Sequence, residues 1–353
     1  MYMTNLATAE AAPPRAEDAA DVLALLYSGT TLAEEEAETL FGALVRGELA
    51  DTSIAAMLAA LKVRGETVEE LIGAARALRA ADVPFARPDY LFADSCGTGG
   101  DGSGTINLST AVAFVAAAAG LPVAKHGNRS VTSRCGSADV LEHLGAKLDA
   151  SPETSRRALD EAGLCFLFAP AYHPGLRHAG PVRRQLGVRT IMNILGPCVN
   201  PAEPRVQLLG VAEERLLGPV ARVLAALGVE RAMVVHGAGL DEIAIHGETK
   251  AVRLDKGALE RLTIAPEDVG FARAPLAKIR GGGPEENAER LTALLRGRGT
   301  ITERQAVALN AGALLSTAGK AATLKEGAAL ALDTLACGAG HRVLEAFVAI
   351  SND

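Results

Sequence analysis

A glycine-rich segment, DSCGTGGDGSGTINLST, occupies residues 94–110 and carries the first group of residues that could do chemistry. It holds five glycines in the eight positions from Gly97 to Gly104, and Ser109 and Thr110 follow before a long apolar run. Glycine loses more backbone freedom on folding than any other residue, so such a run indicates a close approach of the main chain to another group. Backbone N–H groups and a helix N-terminus together bind anionic oxygens. We therefore predict a site for a highly charged phosphate ester, and the alternative is a tight turn with ordinary caps.

The same segment satisfies the GxGxxG pattern of dinucleotide-binding proteins over residues 97–102. That pattern also needs an acidic residue about 20 positions further on, where it binds the ribose hydroxyls. Here the first acid after Asp101 is Asp139. Asp101 itself would repel a bare pyrophosphate unless a cation or sugar hydroxyls shared the site. The sequence therefore argues against a nicotinamide dehydrogenase.

A second polar segment, KHGNRSVTSRCGS, occupies residues 125–137 and follows the next predicted strand. Loops at the carboxyl ends of neighbouring parallel strands face one crevice. The residues expected to converge there on the ligand of the glycine segment are Lys125, Asn128, Arg129, Ser130 and Ser133. His126, taken alone, is more typical of a hydrogen-bonded structural histidine than of a catalyst.

The adjacent acids Asp241 and Glu242 lie in a third such segment, HGAGLDEIAIHG. Carboxylates are hard oxygen ligands for Mg²⁺, which usually keeps several waters and bridges substrate phosphates. Exposed turns often carry such a pair without any function. Its position at a third predicted strand end favours a magnesium site and leaves the plain surface turn as the alternative.

Charge and composition limit the class of ligand. The net charge of -7 argues against a general nucleic-acid binder, because phosphate-backbone affinity needs clustered Lys and Arg. Residues 102–138 and 162–202 nevertheless contain no acid, and the second stretch includes Arg183 and His173. We expect a small anionic ligand in a pocket, and the alternative is chance spacing on a solvated surface.

The chain shows no signs of secretion or membrane insertion. Its five cysteines are scattered without a CxxC pair, which fits reduced thiols better than disulfides or zinc. The N-terminus has no basic segment followed by an apolar core. The longest uncharged apolar stretch, residues 111–124, is too short to span a bilayer. We expect a cytoplasmic protein with no membrane partner.

The elements that must position these residues form two parts. Residues 18–85 read as amphipathic helices with a thin core, which should pack on a second domain or subunit. Over residues 90–353 strands alternate with helices, which predicts a sheet covered on both faces. The predicted fold class is α/β, a small N-terminal helical bundle plus a larger α/β domain with a mostly parallel central sheet flanked by helices. Residues 1–17, rich in Ala, Pro and charge, read as a flexible tail.

The motifs GTGGDG, NLST, KHGNRS and GLDE, in this order and spacing, resemble the anthranilate phosphoribosyltransferase family from about residue 20 to the C-terminus. The resemblance implies a helical domain and an α/β domain that binds phosphoribosyl pyrophosphate (PRPP). It also implies a homodimer formed through the helical domains, with a helical return near residues 178–200. The departures from the family pattern, Cys96, Leu108 and Ala138, remove no hydroxyl, charge or glycine that the chemistry needs.

The resemblance further implies roles for individual residues. The implied PRPP site comprises Gly97, Gly100, Asp101, Thr105, Asn107, Leu108, Ser109, Thr110, Lys125, His126, Gly127, Asn128, Arg129, Ser130, Val131, Thr132, Ser133 and Ser137. Anthranilate would lie near Gly97, Asn128 and Arg183, with His126, His173, Gly196 and Pro197 lining its approach. Magnesium would be the cofactor, held by Ser109, Asp241 and Glu242 together with the pyrophosphate. Lys125 and Arg129 would stabilise the leaving group, and no general base is expected. The planar fork of Arg183 suits a carboxylate, while a structural arginine at a helix end is the alternative.

The implied reaction transfers the phosphoribosyl group of PRPP to the amine of anthranilate. It gives N-(5-phosphoribosyl)anthranilate and pyrophosphate, the second step of tryptophan biosynthesis from chorismate. The two substrates are the expected partners, and no residue indicates a glutamine amidotransferase subunit. Two alternatives stay open. One is a pyrimidine nucleoside phosphorylase-like enzyme, whose second motif differs from KHGNRS, and the other is a non-enzymatic nucleic-acid-binding paralogue, which should be basic.

Overall fold

The N-terminal part of the protein is a bundle of helices. The computed structural model describes residues 18–130 and 134–353. The predicted tail, residues 1–17, and three implied PRPP contacts, Val131, Thr132 and Ser133, lie outside the described residues. The helices of the bundle are α1 (Ala19–Tyr27), α2 (Glu34–Arg46), α3 (Asp51–Arg64) and α4 (Val68–Ala80).

The buried carboxylate of Glu70 fixes the bundle's turns. It accepts hydrogen bonds from the backbone N–H of Leu32, at 2.9 Å, and of Thr67, at 2.9 Å, and it pairs with Arg64. The Thr67 hydroxyl in turn accepts the Glu70 N–H at 3.2 Å, so the two residues form a capping box at the start of α4. One acid therefore ties the α1–α2 connection to the end of α3 and the start of α4.

The described part of the second domain is built on a seven-stranded sheet in the order β3-β2-β1-β4-β5-β6-β7. The strands are β1 (Ala93–Gly97), β2 (Val123–Gly127), β3 (Leu164–Phe168), β4 (Val206–Gly210), β5 (Arg231–Gly237), β6 (Thr249–Asp255) and β7 (Ala258–Ile264). Neighbours from β3 to β5 pair in parallel, whereas β5–β6 and β6–β7 are antiparallel. The first four strands are almost continuously buried, as expected for parallel strands covered on both faces.

Helices cover both faces of this sheet. They are α5 (Leu108–Ala118), α6 (Ser137–His143), α7 (Pro152–Ala162), α8 (Ala169–Tyr172), α9 (Gly180–Leu186), α10 (Ile191–Leu195), α11 (Leu217–Ala226), α12 (Pro284–Leu295), α13 (Ile301–Thr317), α14 (Leu324–Ala336) and α15 (Ala339–Ser351). Across the described part of the chain, no helix has the length and hydropathy of a bilayer-spanning segment.

Two apolar cores lie on opposite faces of the sheet. One contains α5, α13 and α15, for example Phe114 and Phe347. The other joins the helical bundle, α10 and α11 to the sheet, for example Phe41, Ile191 and Leu209. The thin bundle therefore finds its burial against the second domain within a single chain. Helices α9 and α10 lie between the two parts, in contact with α3.

The predicted fold class is confirmed, with one addition. The antiparallel β6–β7 hairpin at the sheet edge was not expected from the sequence. Strand β6 is buried only at alternate positions and β7 is mostly exposed, so neither has the continuous apolar run that identifies the central strands. The strands that carry the predicted site residues all belong to the parallel part, so their carboxyl ends share one edge.

Candidate active site

A cavity of about 340 Å³ lies at the carboxyl ends of the parallel strands, where ligand sites of such sheets occur. Every implied site residue that the structure describes lines it. From the glycine segment these are Gly97, Gly100, Asp101, Thr105, Asn107, Leu108, Ser109 and Thr110, and from the second segment Lys125, His126, Gly127, Asn128, Arg129, Ser130 and Ser137. The others are His173, Arg183, Gly196, Pro197, Asp241 and Glu242. The lining also contains residues that sequence reasoning did not assign to the site, including Leu176, Arg189, Met192 and Asn193.

Three neighbouring strands end in glycine, and the turn that carries the two implied metal ligands lies directly over them. A Cβ at Gly97 would lie 2.3 Å from a side-chain oxygen of Asp241, and one at Gly210 would lie 1.5 Å from the Asp241 carbonyl oxygen. A Cβ at Gly237 would lie 2.2 Å from the carbonyl oxygen of Glu242. Side chains at these positions would collide with backbone or carboxylate, so the glycines are what lets the turn reach the glycine segment.

Gly210→Ala should destabilise the fold and damage the site, because its methyl group would overlap the Asp241 backbone. Overpacking of this kind typically costs about 1–3 kcal/mol in the free energy of unfolding, which urea titration measures. Gly218→Ala is the matched control, since this glycine lies in α11 with no atom near its missing Cβ. There alanine should be neutral or stabilising by up to about 1 kcal/mol. Equal effects of the two changes would contradict the close approach.

The acidic end of the cavity is held by backbone hydrogen bonds. An Asp241 carboxylate oxygen accepts the Gly99 N–H at 2.6 Å, and a Glu242 oxygen accepts the Ser109 N–H at 3.1 Å. Burial, reinforced by the nearby charge of Asp101, raises the pKa of Asp241 to about 7. Burial and the charge of Asp241 likewise raise the pKa of Glu242 well above its ordinary value. The acids therefore lie close together with little positive charge to balance them.

Lys125 is the cation whose charge acts on Glu242. It lies on β2 and is buried, and its Nζ donates to the Ser95 carbonyl oxygen at 2.5 Å and to the Ser109 hydroxyl at 3.2 Å. Its charge partly offsets the rise in the pKa of Glu242. The ammonium group thus reaches the end of the cavity where the glycine segment passes into α5.

The donors at this end fit a magnesium ion that is shared with a substrate. Asp241, Glu242 and the Ser109 hydroxyl are hard oxygen ligands in one place. Within residues 18–130 and 134–353, no group of three His, Cys, Asp or Glu side chains forms a complete cage for a metal ion. A site with few protein ligands suits Mg²⁺, which keeps waters and binds phosphate oxygens. The raised pKa values of both acids show that a nearby cation would stabilise their ionised forms.

Arg129 is bound by acids on α6. Its guanidinium donates to Glu142 at 2.7 and 2.8 Å and to Asp139 at 3.2 Å, and the hydrogen bond to Glu142 is the main reason that its pKa is raised. The other Asp139 oxygen accepts the N–H of Ser130, at 3.0 Å, and of Gly136, at 2.8 Å. Asp139 therefore holds both described ends of the 130–136 segment, a role that sequence reasoning did not assign to it.

Two buried histidines and an aspartate form a chain along one wall of the cavity. The Nε2 atoms of His126 and His173 lie 3.0 Å apart, and Nδ1 of His173 is hydrogen-bonded to the carboxylate of Asp82. Burial, and secondly the neighbouring His173, lowers the pKa of His126 well below its ordinary value, so this ring is neutral at physiological pH. Asp82 follows the last helix of the bundle, so the chain of contacts joins the two domains at the cavity.

The buried His126 should make folding stability depend on pH. An unfolded histidine gains a proton near pH 6.5, whereas the lowered pKa keeps folded His126 neutral, so the unfolded state binds more protons as the pH falls. Stability should therefore decrease below pH 6.5, by up to about 1.4 kcal/mol per pH unit from this residue. Urea unfolding of the wild type and His126→Asn at pH 7.5, 6.5 and 5.5 measures the difference. Asp82 also adds to the pH dependence of the free energy of unfolding, but it does so in both proteins. Parallel pH profiles of the two proteins would contradict the expectation.

Arg183, on α9, also lines the cavity. Its side chain is half-buried, and burial alone lowers its pKa. Its guanidinium makes no hydrogen bond or ion pair with any residue that the structure describes. A partly desolvated cation without a carboxylate partner is costly, which favours an anionic ligand over the structural alternative.

The order of the two domains and the position of the cavity are those of one class of transferases. Residues 20–81 match the family described as "Glycosyl transferase family, helical bundle domain", and residues 89–341 match "Glycosyl transferase family, a/b domain". The protein is therefore a two-domain glycosyl transferase.

Its relatives define the branch of that class. An anthranilate phosphoribosyltransferase of Sorangium cellulosum is 58% identical over 94% of this chain and 95% of its own length. One from Shewanella amazonensis is 51% identical over 95% and 98%. The crystal structure of the Thermus thermophilus anthranilate phosphoribosyltransferase has a TM-score of 0.90 at 46% identity, covering 94% of this chain and all of its own. The Saccharomyces cerevisiae anthranilate phosphoribosyltransferase in complex with PRPP and Mg has a TM-score of 0.87 at 26% identity, covering 95% and 98%.

The chain belongs to the anthranilate phosphoribosyltransferase family. The family, the class of enzyme and the activity implied by the sequence motifs are thereby confirmed. The individual site residues, the magnesium ligands and the dimer stay predictions and are taken up as proposals below.

Proposed function

We propose that the cavity binds PRPP with Mg²⁺ at its glycine-lined end and anthranilate at its Arg183 end, and joins the two substrates between them. The observation that carries the proposal is the convergence of three strand-end segments and α9 on one cavity of about 340 Å³. Phosphate-binding amides, acids for a cation and an unpartnered guanidinium meet there. These are the groups that a pyrophosphate ester and an aromatic carboxylate require.

The PRPP end offers amides and hydroxyls for phosphate oxygens. In the described part of the chain, the backbone N–H groups of Gly100, Asp101, Gly102 and Gly104 have no acceptor. The hydroxyl of Thr110, in the first turn of α5, is buried without a partner. A buried hydroxyl such as that of Thr110 is normally satisfied, whereas Gly100, Gly102 and Gly104 are exposed, so their amides are open to an incoming ligand. The arrangement supports a ligand that supplies several acceptors.

Asp241, Glu242 and Ser109 would hold the magnesium ion against the pyrophosphate. When bound there, the ion neutralises charge on the pyrophosphate oxygens and fixes their orientation. Asp241 keeps its bond from the Gly99 N–H, so the carboxylate that holds the ion also aligns the glycine segment. Lys125 adds a second positive charge on the same side through its position beside Ser109.

Anthranilate would bind between Arg183, Asn128 and the histidines. The free guanidinium of Arg183 can take the carboxylate in a two-point contact. Neutral His126 and its neighbour His173 present an aromatic wall with ring centroids 4.9 Å apart, and the short 3₁₀ helix Gly196–Cys198 adds Gly196 and Pro197 to the lining. The neutral ring of His126 suits a neutral aryl amine.

In the reaction the lone pair of the anthranilate nitrogen forms a bond to the anomeric carbon, and the bond from that carbon to the pyrophosphate oxygen breaks. Pyrophosphate leaves with the bonding electrons, the configuration at carbon inverts, and the nitrogen releases one proton to solvent. Lys125 and the glycine-segment amides stabilise the negative charge that builds up on the leaving group. Arg129 is predicted to assist, and because Glu142 and Asp139 bind its guanidinium we expect a smaller effect from it than from Lys125.

The proposal also covers the oligomeric state and the cellular location of the protein. Homodimers would form through the helical domain, where the large apolar side chains of Tyr27 and Val63 are 51% and 88% exposed. Analytical ultracentrifugation, which measures the mass in solution, distinguishes a dimer from a monomer. We also infer a cytoplasmic location, in keeping with the reduced state expected for the scattered cysteines.

The direct test follows anthranilate fluorescence in a mixture of the protein, PRPP, Mg²⁺ and anthranilate. We expect the fluorescence to fall with time, and to stay constant when PRPP is omitted or Mg²⁺ is chelated. Parallel assays offer a pyrimidine nucleoside with inorganic phosphate, and single-stranded DNA. Constant fluorescence with folded protein, together with phosphorolysis or DNA binding, would overturn the proposal in favour of one of the two alternatives.

A further inference from the structure

The peptide units on either side of Gly99 are held from two sides by distant parts of the chain. Its N–H donates to Asp241 at 2.6 Å, and its carbonyl oxygen accepts from Nη1 of Arg189, also at 2.6 Å. The Thr98 hydroxyl, at 3.4 Å from the same carbonyl oxygen, is a weaker second donor. Arg189 lies in the short connection between α9 and α10, far from the glycine segment in sequence.

The glycine segment and the Arg189 side chain fit each other closely. A Cβ at Gly100 would lie 1.7 Å from Nη1 of Arg189 and 2.8 Å from its Cζ, and the backbone of Gly100 has a φ of +73°. Only glycine therefore leaves space for the guanidinium. Arg189 makes no ion pair with any acid in the described residues, so no carboxylate competes with the Gly99 carbonyl oxygen for its guanidinium.

The contact with the Gly99 carbonyl has a consequence for the next amide. A trans peptide is planar, and its C=O and N–H groups point in opposite directions. Because the Gly99 carbonyl points towards Arg189, the N–H of Gly100 in the same peptide must point away from Arg189. That N–H is one of the amides that lack an acceptor among the described residues. Free glycine could otherwise turn this peptide over at little cost.

We propose that Arg189 is a positioning residue, which sets the direction of the Gly100 amide so that the glycine segment is shaped for the pyrophosphate before it binds. This inference rests on the proposed function of the cavity. Preorganised donors contribute to catalysis because they need no rearrangement during the reaction. Arg189 follows α9, the helix of Arg183, so one short stretch of chain brings both arginines to the cavity.

The first test compares Arg189→Ala and Arg189→Lys with the wild type. Losing a charged hydrogen bond that holds the segment should lower kcat/KM for PRPP about tenfold to hundredfold, whereas KM for anthranilate at saturating PRPP should change less than about threefold. Lysine can still donate to the Gly99 carbonyl and should restore part of the loss. Equal changes in the KM of both substrates would indicate a general structural role and would overturn the proposal.

A double-variant cycle separates the contact from backbone strain. Gly100→Ala introduces both a collision with Arg189 and a side chain at positive φ, whereas Gly102→Ala introduces only the second, since φ is +72° and no atom lies near its missing Cβ. Combined with Arg189→Ala, Gly100→Ala should cost much less in kcat/KM for PRPP than it does in the wild type, because both changes break the same contact. The cost of Gly102→Ala should be unchanged. Simple additivity in both cycles would contradict the proposal.

A readout without substrates distinguishes this inference from the proposed function. Hydrogen–deuterium exchange of the peptide covering residues 97–101 should be faster in substrate-free Arg189→Ala than in the wild type, because the Gly99 N–H loses its fixed geometry. Faster exchange in a protein that proves unable to use PRPP would support the positioning role and overturn the function. If exchange in Arg189→Ala equals that of the wild type, and the wild type is active, the positioning role is overturned and the proposed function is supported.

Discussion

The double variant Asp241→Asn/Glu242→Gln should lose roughly a hundredfold to a thousandfold in kcat/KM for PRPP, the scale on which one preorganised charge contact acts in catalysis. The amides match the carboxylates in size, and Asn can still accept the Gly99 N–H. What disappears is the negative charge that, in the proposal, would hold the magnesium ion. The same change should leave the substrate-free protein as stable as the wild type or more so, because both acids are buried and their raised pKa values show that ionisation is unfavourable there.

The measurement is a steady-state assay at several Mg²⁺ concentrations together with thermal unfolding without ligands. Glu213→Gln/Glu214→Gln is the matched control, since these adjacent acids follow the neighbouring strand β4 but are accessible to solvent. We expect the control to keep its activity and its Mg²⁺ dependence. Loss of activity accompanied by a lower unfolding temperature would mean that the Asp241 turn is structural, and full activity of the variant would remove the acids from the reaction.

Arg183→Ala should raise KM for anthranilate by roughly a hundredfold to a thousandfold, the range expected when the bound carboxylate loses the charged partner that it would have in the cavity. KM for PRPP should stay within a few-fold of the wild type, because the proposal assigns Arg183 to the anthranilate carboxylate and not to PRPP. Arg183→Lys should recover only part of the loss, since an ammonium group cannot make the planar two-point contact with a carboxylate.

Arg184→Ala is the control for that prediction, because Arg184 is the next residue on α9 and is exposed. It should behave as the wild type in both KM values. A second check uses aniline, which has the amine but not the carboxylate. If Arg183 binds the carboxylate, the wild type and Arg183→Ala should use aniline equally poorly. A preserved preference of Arg183→Ala for anthranilate over aniline would contradict the assignment.

The sequence allowed the fold class and the segments of the cavity to be predicted because both depend on local patterns. Buried strands followed by glycine or polar segments are visible in the chain, and the parallel sheet then brings their ends together. The acid-free stretch that contains Arg183 was also visible as a charge pattern. Each of these signals lies within one continuous stretch of the chain.

What the sequence did not reveal depends on contacts between distant segments. Gly97 and Gly100 were interpreted as making room for a ligand, but part of that space is taken by the protein itself, by Asp241 and by Arg189. Asp82 could not be connected with His173, 91 positions away, before the domains were placed together. Spacing along the chain carries no information about such pairs.

The indirect supports of the cavity were missed for a related reason. Asn287 of α12 donates to Asn107 at 2.9 Å and accepts the Gly282 N–H at 2.8 Å, and so holds the start of α5 from a helix that showed no chemical motif. Asp139 similarly reads as an ordinary acid at a helix start. Residues that act through the backbone of others resemble common capping residues in sequence, and only their partners identify them.

The most direct measurement is a crystal structure of the protein grown with PRPP and Mg²⁺. The account predicts pyrophosphate density within hydrogen-bonding distance of the Gly100 and Gly102 amides, with an ion between it and the Asp241 and Glu242 carboxylates. Well-defined PRPP bound away from residues 97–104, or bound there through side chains alone with those amides facing elsewhere, would contradict it.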